Sequence, residues 1–158
     1  NNDVNDVGYQ NFVHPIVSTI LSHFNESHIG LDFGCGTGPV ITKLLRDKSY
    51  TINTFDPFFD NNPEVLKKTY NFIVCCEVIE HFFHPSEEFV KLFNILKPQG
   101  KLICKTHLFE KEIDFDKWYY KNDPSHVFIY QHETMNWIKN NYRIKDVKID
   151  DRVITFTK

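Results

Sequence analysis

The side chains able to do chemistry fall in three places. Asp32 stands just before three glycines at alternate positions, Gly34, Gly36 and Gly38, with Cys35 between the first two. Asp56 closes a later β-rich run, about 20 residues beyond that turn. Glu77, Glu80 and His81 follow a third apolar run, and His126 sits in a stretch dense in aromatics, with Trp118, Tyr119 and Tyr120 upstream. Glycines let a backbone take positive φ and approach a ligand closely. A carboxylate at Asp32 would repel a pyrophosphate, and no Lys or Arg precedes Lys43. The same carboxylate suits a ligand bearing an ammonium or sulfonium. Asp56 has the acceptor geometry for a vicinal diol. On one helical turn, Glu77, Glu80 and His81 share a side, a donor set able to hold a divalent ion. A histidine at 126 can take a proton near neutral pH, and His81 competes for that role.

These groups need elements to position them. Ile29–Phe33 reads as a strand running into the glycine turn, and a helix follows to about Asp47 with Val40, Ile41, Leu44 and Leu45 on one stripe. Upstream, residues 1–9 read as polar and frayed, and His14–Phe24 as a helix with Pro15 in its first turn. Tyr50–Phe55 alternates as a second strand. Residues 57–71 leave room for one short helix. Asn71–Cys76 is continuously apolar, as a central parallel strand is. A helix capped by Ser86, a strand over 101–106, a helix over 134–141 and a closing hairpin over 143–157 complete the chain.

The 158 residues with net charge −3 fit one domain, 1–158, with no basic footprint for nucleic acid. The four cysteines lack CxxC spacing and read as free thiols. No apolar run approaches membrane-spanning length, so the expectation is a cytoplasmic protein with no membrane partner.

The dinucleotide fingerprint needs a glycine at position 39, which is Pro39, and the phosphate-loop pattern is absent. The run Leu31–Gly38 instead resembles motif I of the class I S-adenosylmethionine-dependent methyltransferases. Asp56, the pattern E-V-x-E-H over Glu77–His81 and L-K-P-x-G over Leu96–Gly100 occur in that superfamily's order. The resemblance implies an α/β, Rossmann-like, doubly wound and mostly parallel sheet with a C-terminal antiparallel hairpin. The family's third strand, at the sheet edge, is missing or vestigial. It also implies S-adenosyl-L-methionine as cofactor. Gly34, Cys35, Gly36 and Gly38 would admit its methionine part and Asp32 its ammonium. Asp56 would bind the ribose, Pro57 and Phe58 would flank the adenine, and Cys76 and Glu77 would line the middle. The reaction expected is methyl transfer to an O or N nucleophile of a small-molecule acceptor, with Trp118, Tyr119 and Tyr120 as the acceptor wall. A cofactor-binding but inactive partner subunit is the alternative. No metal is assigned. Relatives that methylate RNA 2′-hydroxyls or ubiquinone precursors share E-V-x-E-H and use one, which makes Glu77, Glu80, His81 and His126 the alternative ligand set.

Overall fold

The computed structural model describes residues 3–158. Strands β1 (Ile29–Phe33), β2 (Thr51–Phe55), β3 (Tyr70–Cys76), β4 (Leu96–Lys105), β5 (Asp146–Asp150) and β6 (Val153–Thr157) form one sheet in the order β2-β1-β3-β4-β6-β5. β2, β1, β3 and β4 run parallel, and β6 lies antiparallel to both β4 and β5. The hairpin places its polar side chains outward on β5, where exposed and half-buried residues alternate, while β6 is buried.

Both faces are covered, as the uninterrupted apolar run of β3 requires. Helices α1 (Val7–His23) and α2 (Val40–Arg46) cover one face, packing Ile16, Ile20, Ile41 and Leu45 against Ile52, Phe72, Val74 and Ile103. Helices α3 (Pro85–Ile95) and α4 (His132–Asn141) bring Phe89, Leu92, Met135 and Ile138 onto Leu31, Ile73, Leu102 and Phe156. Leu31 and Phe33 thus point to one face and Asp32 to the other, beneath α2. Each such large apolar side chain contributes about 1.5–3 kcal/mol by leaving water.

Between β2 and β3 there is no further strand among the described residues. A single bridge joins Asp56 and Asp60, and a 3-10 turn spans Pro63–Lys67. The expected loss of the edge strand therefore holds, and β2 is the sheet border.

Three local expectations need correction. The first helix begins at Val7, not His14, because Asp6 caps it, accepting from the Tyr9 N–H at 3.0 Å. Only residues 3–6 precede it as a turn, and residues 1–2 lie outside the described span. Pro15 consequently sits inside α1 rather than in its first turn. It is tolerated on the exposed face, where water can satisfy the carbonyl it leaves without a donor. In α3, Pro85 rather than Ser86 opens the helix, its missing N–H matching a position that needs none.

Candidate active site

The glycine turn is shaped by two positive-φ positions and one close approach. Gly34 has φ +79°, and a Cβ there would lie 2.5 Å from a Val78 methyl. Gly36 has φ +63° and open space where its Cβ would be. The Phe55 carbonyl accepts from the Gly34 and Cys35 N–H groups at 2.7 and 3.2 Å, locking the turn to the end of β2.

The two acids act on this turn from opposite sides. Asp32 is buried, and its Oδ2 accepts from the Thr42 hydroxyl at 2.8 Å. Burial pushes its pKa up to about 6, partly offset by Thr42. Asp56 is the organiser of the loop. Its Oδ2 accepts from the Gly36 N–H at 3.0 Å, and its Oδ1 from the Phe58 and Phe59 N–H groups at 2.9 and 3.1 Å. Three N–H groups thus take three of the carboxylate's roughly four acceptor sites. Asp32, Gly34, Cys35, Gly38 and Cys76 meet in a narrow cleft below the turn. Burial raises the Cys35 thiol to about 12 and the Cys76 thiol also rises, so both are neutral lining groups.

Beside the turn opens a cavity of about 820 Å³, within the range of small-molecule sites. Gly34, Asp56, Pro57, Phe58, Glu77 and His81 line it. Phe58, Phe59 and Phe83 stand exposed around its mouth. The sequence placed Pro57, Phe58 and Glu77 near one ligand, and the structure brings them onto one cavity.

Deeper in lies a polar cluster that the sequence only half announced. Glu77 has φ +51°, which aims it differently from a helical residue. Tyr120 donates its hydroxyl toward Glu77 Oε2 at 3.1 Å and toward Glu80 Oε1, and it also meets the Thr106 hydroxyl at 2.9 Å. One phenolic proton cannot serve both carboxylates. Glu77 Oε1 and Glu80 Oε2 are buried without a partner. Burial, and then the neighbouring Glu80 charge, push Glu77 up to about 7. Nothing in the sequence linked Tyr120 to Glu80, 40 residues apart.

The turn Asp123-Pro124-Ser125 delivers the histidines. Asp123 Oδ1 accepts from the Ser125 N–H at 2.9 Å, and the backbone of Val127 and Phe128 donates to the Glu80 carbonyl. His81 Nδ1 then lies 2.9 Å from the Ser125 carbonyl, and His126 Nδ1 lies 2.7 Å from the Tyr120 carbonyl. Carbonyls only accept, so both Nδ1 atoms carry protons, and His126 Nε2 lies 3.8 Å from Asp123 Oδ2. The rings are 5.0 Å apart, and ligating atoms of Glu80, His81 and His126 lie within 4.8 Å of one another. Glu77 lies outside that trio. His81 faces the cavity, whereas His126 is packed behind it against Tyr120.

Trp118 and Tyr120 turn inward, packing with His107 and Phe109, while Tyr119 is exposed and bonded to Arg152. From residues 118–132, Ser125 is the cavity-lining residue.

The chain is similar to known proteins in sequence and in fold. The family described as "Methyltransferase domain" matches residues 8–144. The ubiquinone biosynthesis O-methyltransferases of two Rickettsia bellii strains are 30% identical, over 58% of this chain and 48% of theirs. The chain thus spans about half the length of these curated relatives. A SAM-dependent methyltransferase structure from Archaeoglobus fulgidus superposes with TM-score 0.69 at 16% identity, covering 94% of each chain. Human N-acetylserotonin methyltransferase, solved in complex with SAM, gives TM-score 0.66 at 11% identity over 95% of this chain and 53% of its own. With the family matched over most of its length, the glycine turn between two acids and the sheet order, the chain belongs to the class I S-adenosylmethionine-dependent methyltransferase domains.

Proposed function

We propose that residues 1–158 form one catalytic domain that moves the methyl group of S-adenosylmethionine to a hydroxyl oxygen of a small-molecule acceptor. The observation that carries this reading is His81, which lines the cavity with its Nδ1 held by the Ser125 carbonyl and with His126 packed behind it. Asp32 holds the cofactor's ammonium, Asp56 its ribose, and the Gly34–Gly38 turn its methionine chain. Phe58 covers the adenine. The bound cofactor would supply an activated methyl group for the acceptor oxygen, and His81 would take the acceptor hydroxyl's proton at Nε2. Alignment supplies most of the rate, because the donor is already activated. His81 is preferred to His126 as the base because it reaches the cavity. The name carried by the Rickettsia relatives favours an oxygen acceptor. The free thiols suit a reducing, cytoplasmic setting.

A second reading adds a divalent cation. The donor set fits one: ligating atoms of Glu80, His81 and His126 lie within 4.8 Å of one another, and both imidazoles are oriented through Nδ1 by backbone carbonyls. Glu80, His81 and His126 would hold the ion, with Glu77 adjacent. Such an ion would supply positive charge that favours the ionised acceptor hydroxyl.

The test is methyl transfer from S-adenosylmethionine to a panel of phenols and catechols, followed by S-adenosylhomocysteine release. His81→Ala should lower kcat by about 10²-fold or more with cofactor affinity near wild type. Unchanged turnover in that variant, with loss in His126→Ala alone, would transfer the role to His126. Activity surviving exhaustive chelation removes the metal. Cofactor binding without turnover on any acceptor would leave the chain an inactive partner subunit.

A further inference from the structure

The cofactor's amino-acid end carries a carboxylate as well as an ammonium. On the proposed cofactor reading, on which this inference rests, Asp32 takes the ammonium and the carboxylate still needs a cation. Residues 1–42 contain no Lys or Arg. Lys43 pairs with Asp47, the Arg46 guanidinium donates to the Ile52 carbonyl, and Arg152 is engaged by the Tyr119 hydroxyl.

One cation is placed differently. Lys105 ends β4 and is 6% exposed. It pairs in register with Cys76, which lines the narrow cleft together with Tyr9, Asp32 and Gly34. Residues in register on adjacent parallel strands share a face, so the Lys105 side chain leaves the sheet on the side of that cleft. Its ammonium donates to the Phe12 carbonyl of α1 and lies 3.8 Å above the Phe12 ring. Among the described residues it forms no ion pair. An ammonium has three protons, so donors remain after the bond to Phe12. A buried charge without a counter-ion is costly, and a chain keeps one only where a partner compensates it.

We infer that Lys105 is the counter-ion for the carboxylate of the cofactor's methionine moiety, and that it couples this contact to the seating of α1 over the cleft. The carboxylate completes the coordination that Phe12 begins. The same side chain then ties β4, α1 and the ligand together, so Tyr9 closes on an occupied cleft. Burial already pulls the Lys105 pKa down, and an anionic ligand would reverse that.

Decarboxylated S-adenosylmethionine separates the terms, since it keeps the sulfonium, the amine and the nucleoside and lacks only the carboxylate. Calorimetric titration of the wild-type chain should show S-adenosylmethionine binding about tenfold or more tighter than this analogue, as a charge-assisted hydrogen bond supplies. Lys105→Met and Lys105→Gln should each lose about tenfold in affinity for S-adenosylmethionine and stay within about twofold of wild type for the analogue. The glutamine variant keeps a donor for the Phe12 carbonyl, so it retains the helix anchor if the methionine variant does not fold. Equal losses for both ligands in Lys105→Gln would make Lys105 a structural anchor and overturn the inference. An absence of wild-type preference would overturn it without any variant. Failure of the wild-type chain to bind either ligand would sink the cofactor assignment itself, a different result.

Discussion

Asp32 sets ligand-free stability against its proposed role at the cofactor. Its folded-state pKa is raised by burial to about 6 from 3.8. The native state therefore holds a proton that the unfolded chain has already lost. The sign follows: this stabilising contribution is full below about pH 4 and disappears as pH rises through about 6. At neutral pH the ionised buried carboxylate costs the ligand-free protein about 2–3 kcal/mol, from about 1.4 kcal/mol per pKa unit. Asp32→Asn should keep the Thr42 bond, remove that pH slope and raise ligand-free stability at neutral pH. Urea denaturation across this range, with cofactor titration alongside, should show a more stable protein that binds S-adenosylmethionine more weakly. Parallel pH curves for the two proteins would refute the assignment. Asp56 predicts a different pattern. Asp56→Ala removes the acceptor for three backbone N–H groups as well as the proposed ribose contact. It should lower both cofactor affinity and stability, each by about 1–3 kcal/mol. A loss of affinity alone would mean the loop does not depend on it.

At the scale of elements, the turn between β1 and α2 is fixed by backbone shape. Gly34→Ala combines a positive φ with a 2.5 Å approach to Val78. It should destabilise by about 1–3 kcal/mol and abolish cofactor binding, read by thermal melting and calorimetry. A companion Val78→Ala change should recover part of the stability and little of the φ penalty. This turn was legible in the sequence because its signal is local: glycines after an apolar run. The sheet was legible for the same reason, since β1, β2, β3 and the hairpin each announce themselves within a few residues. What stayed hidden depends on contacts far apart in the chain. Tyr120 reads as one more aromatic in a rich stretch, yet it bridges Glu77 and Glu80. His126 stands out in that stretch, while the Ser125 carbonyl that orients His81 carries no side-chain signature. The start of α1 was missed because Asp6 looks like a terminal polar residue until Val4, Tyr9 and Phe12 pack against the core.

For the whole molecule, the early end of the sheet has a cost outside the active site. The two borders are protected unequally. β5 exposes Asp146, Lys148 and Asp150, charges that discourage another chain from pairing with it. β2 is Thr51-Ile52-Asn53-Thr54-Phe55 and has no charge at all. The loop after Asp56 is bonded to its side chains, with the Thr54 hydroxyl donating to Asp60 Oδ2 and the Asn53 amide to the Tyr70 hydroxyl. That loop hangs on Tyr70, whose hydroxyl donates to the Val65 carbonyl at 2.6 Å and accepts from the Asn53 amide at 3.2 Å. With β2 as the border, Tyr70 ties the following loop to the sheet, and the expected consequence is a lower tendency to self-associate. Tyr70→Phe keeps the ring and drops both bonds. It should leave the secondary structure intact while light scattering rises with protein concentration, and Thr51→Lys on the same background should restore a monodisperse solution. If Tyr70→Phe stays as monodisperse as wild type, the loop needs no such tether. If it does not, a methyltransferase of this shape cannot trim its border strand without also keeping the residue that hides the new edge from its own copies.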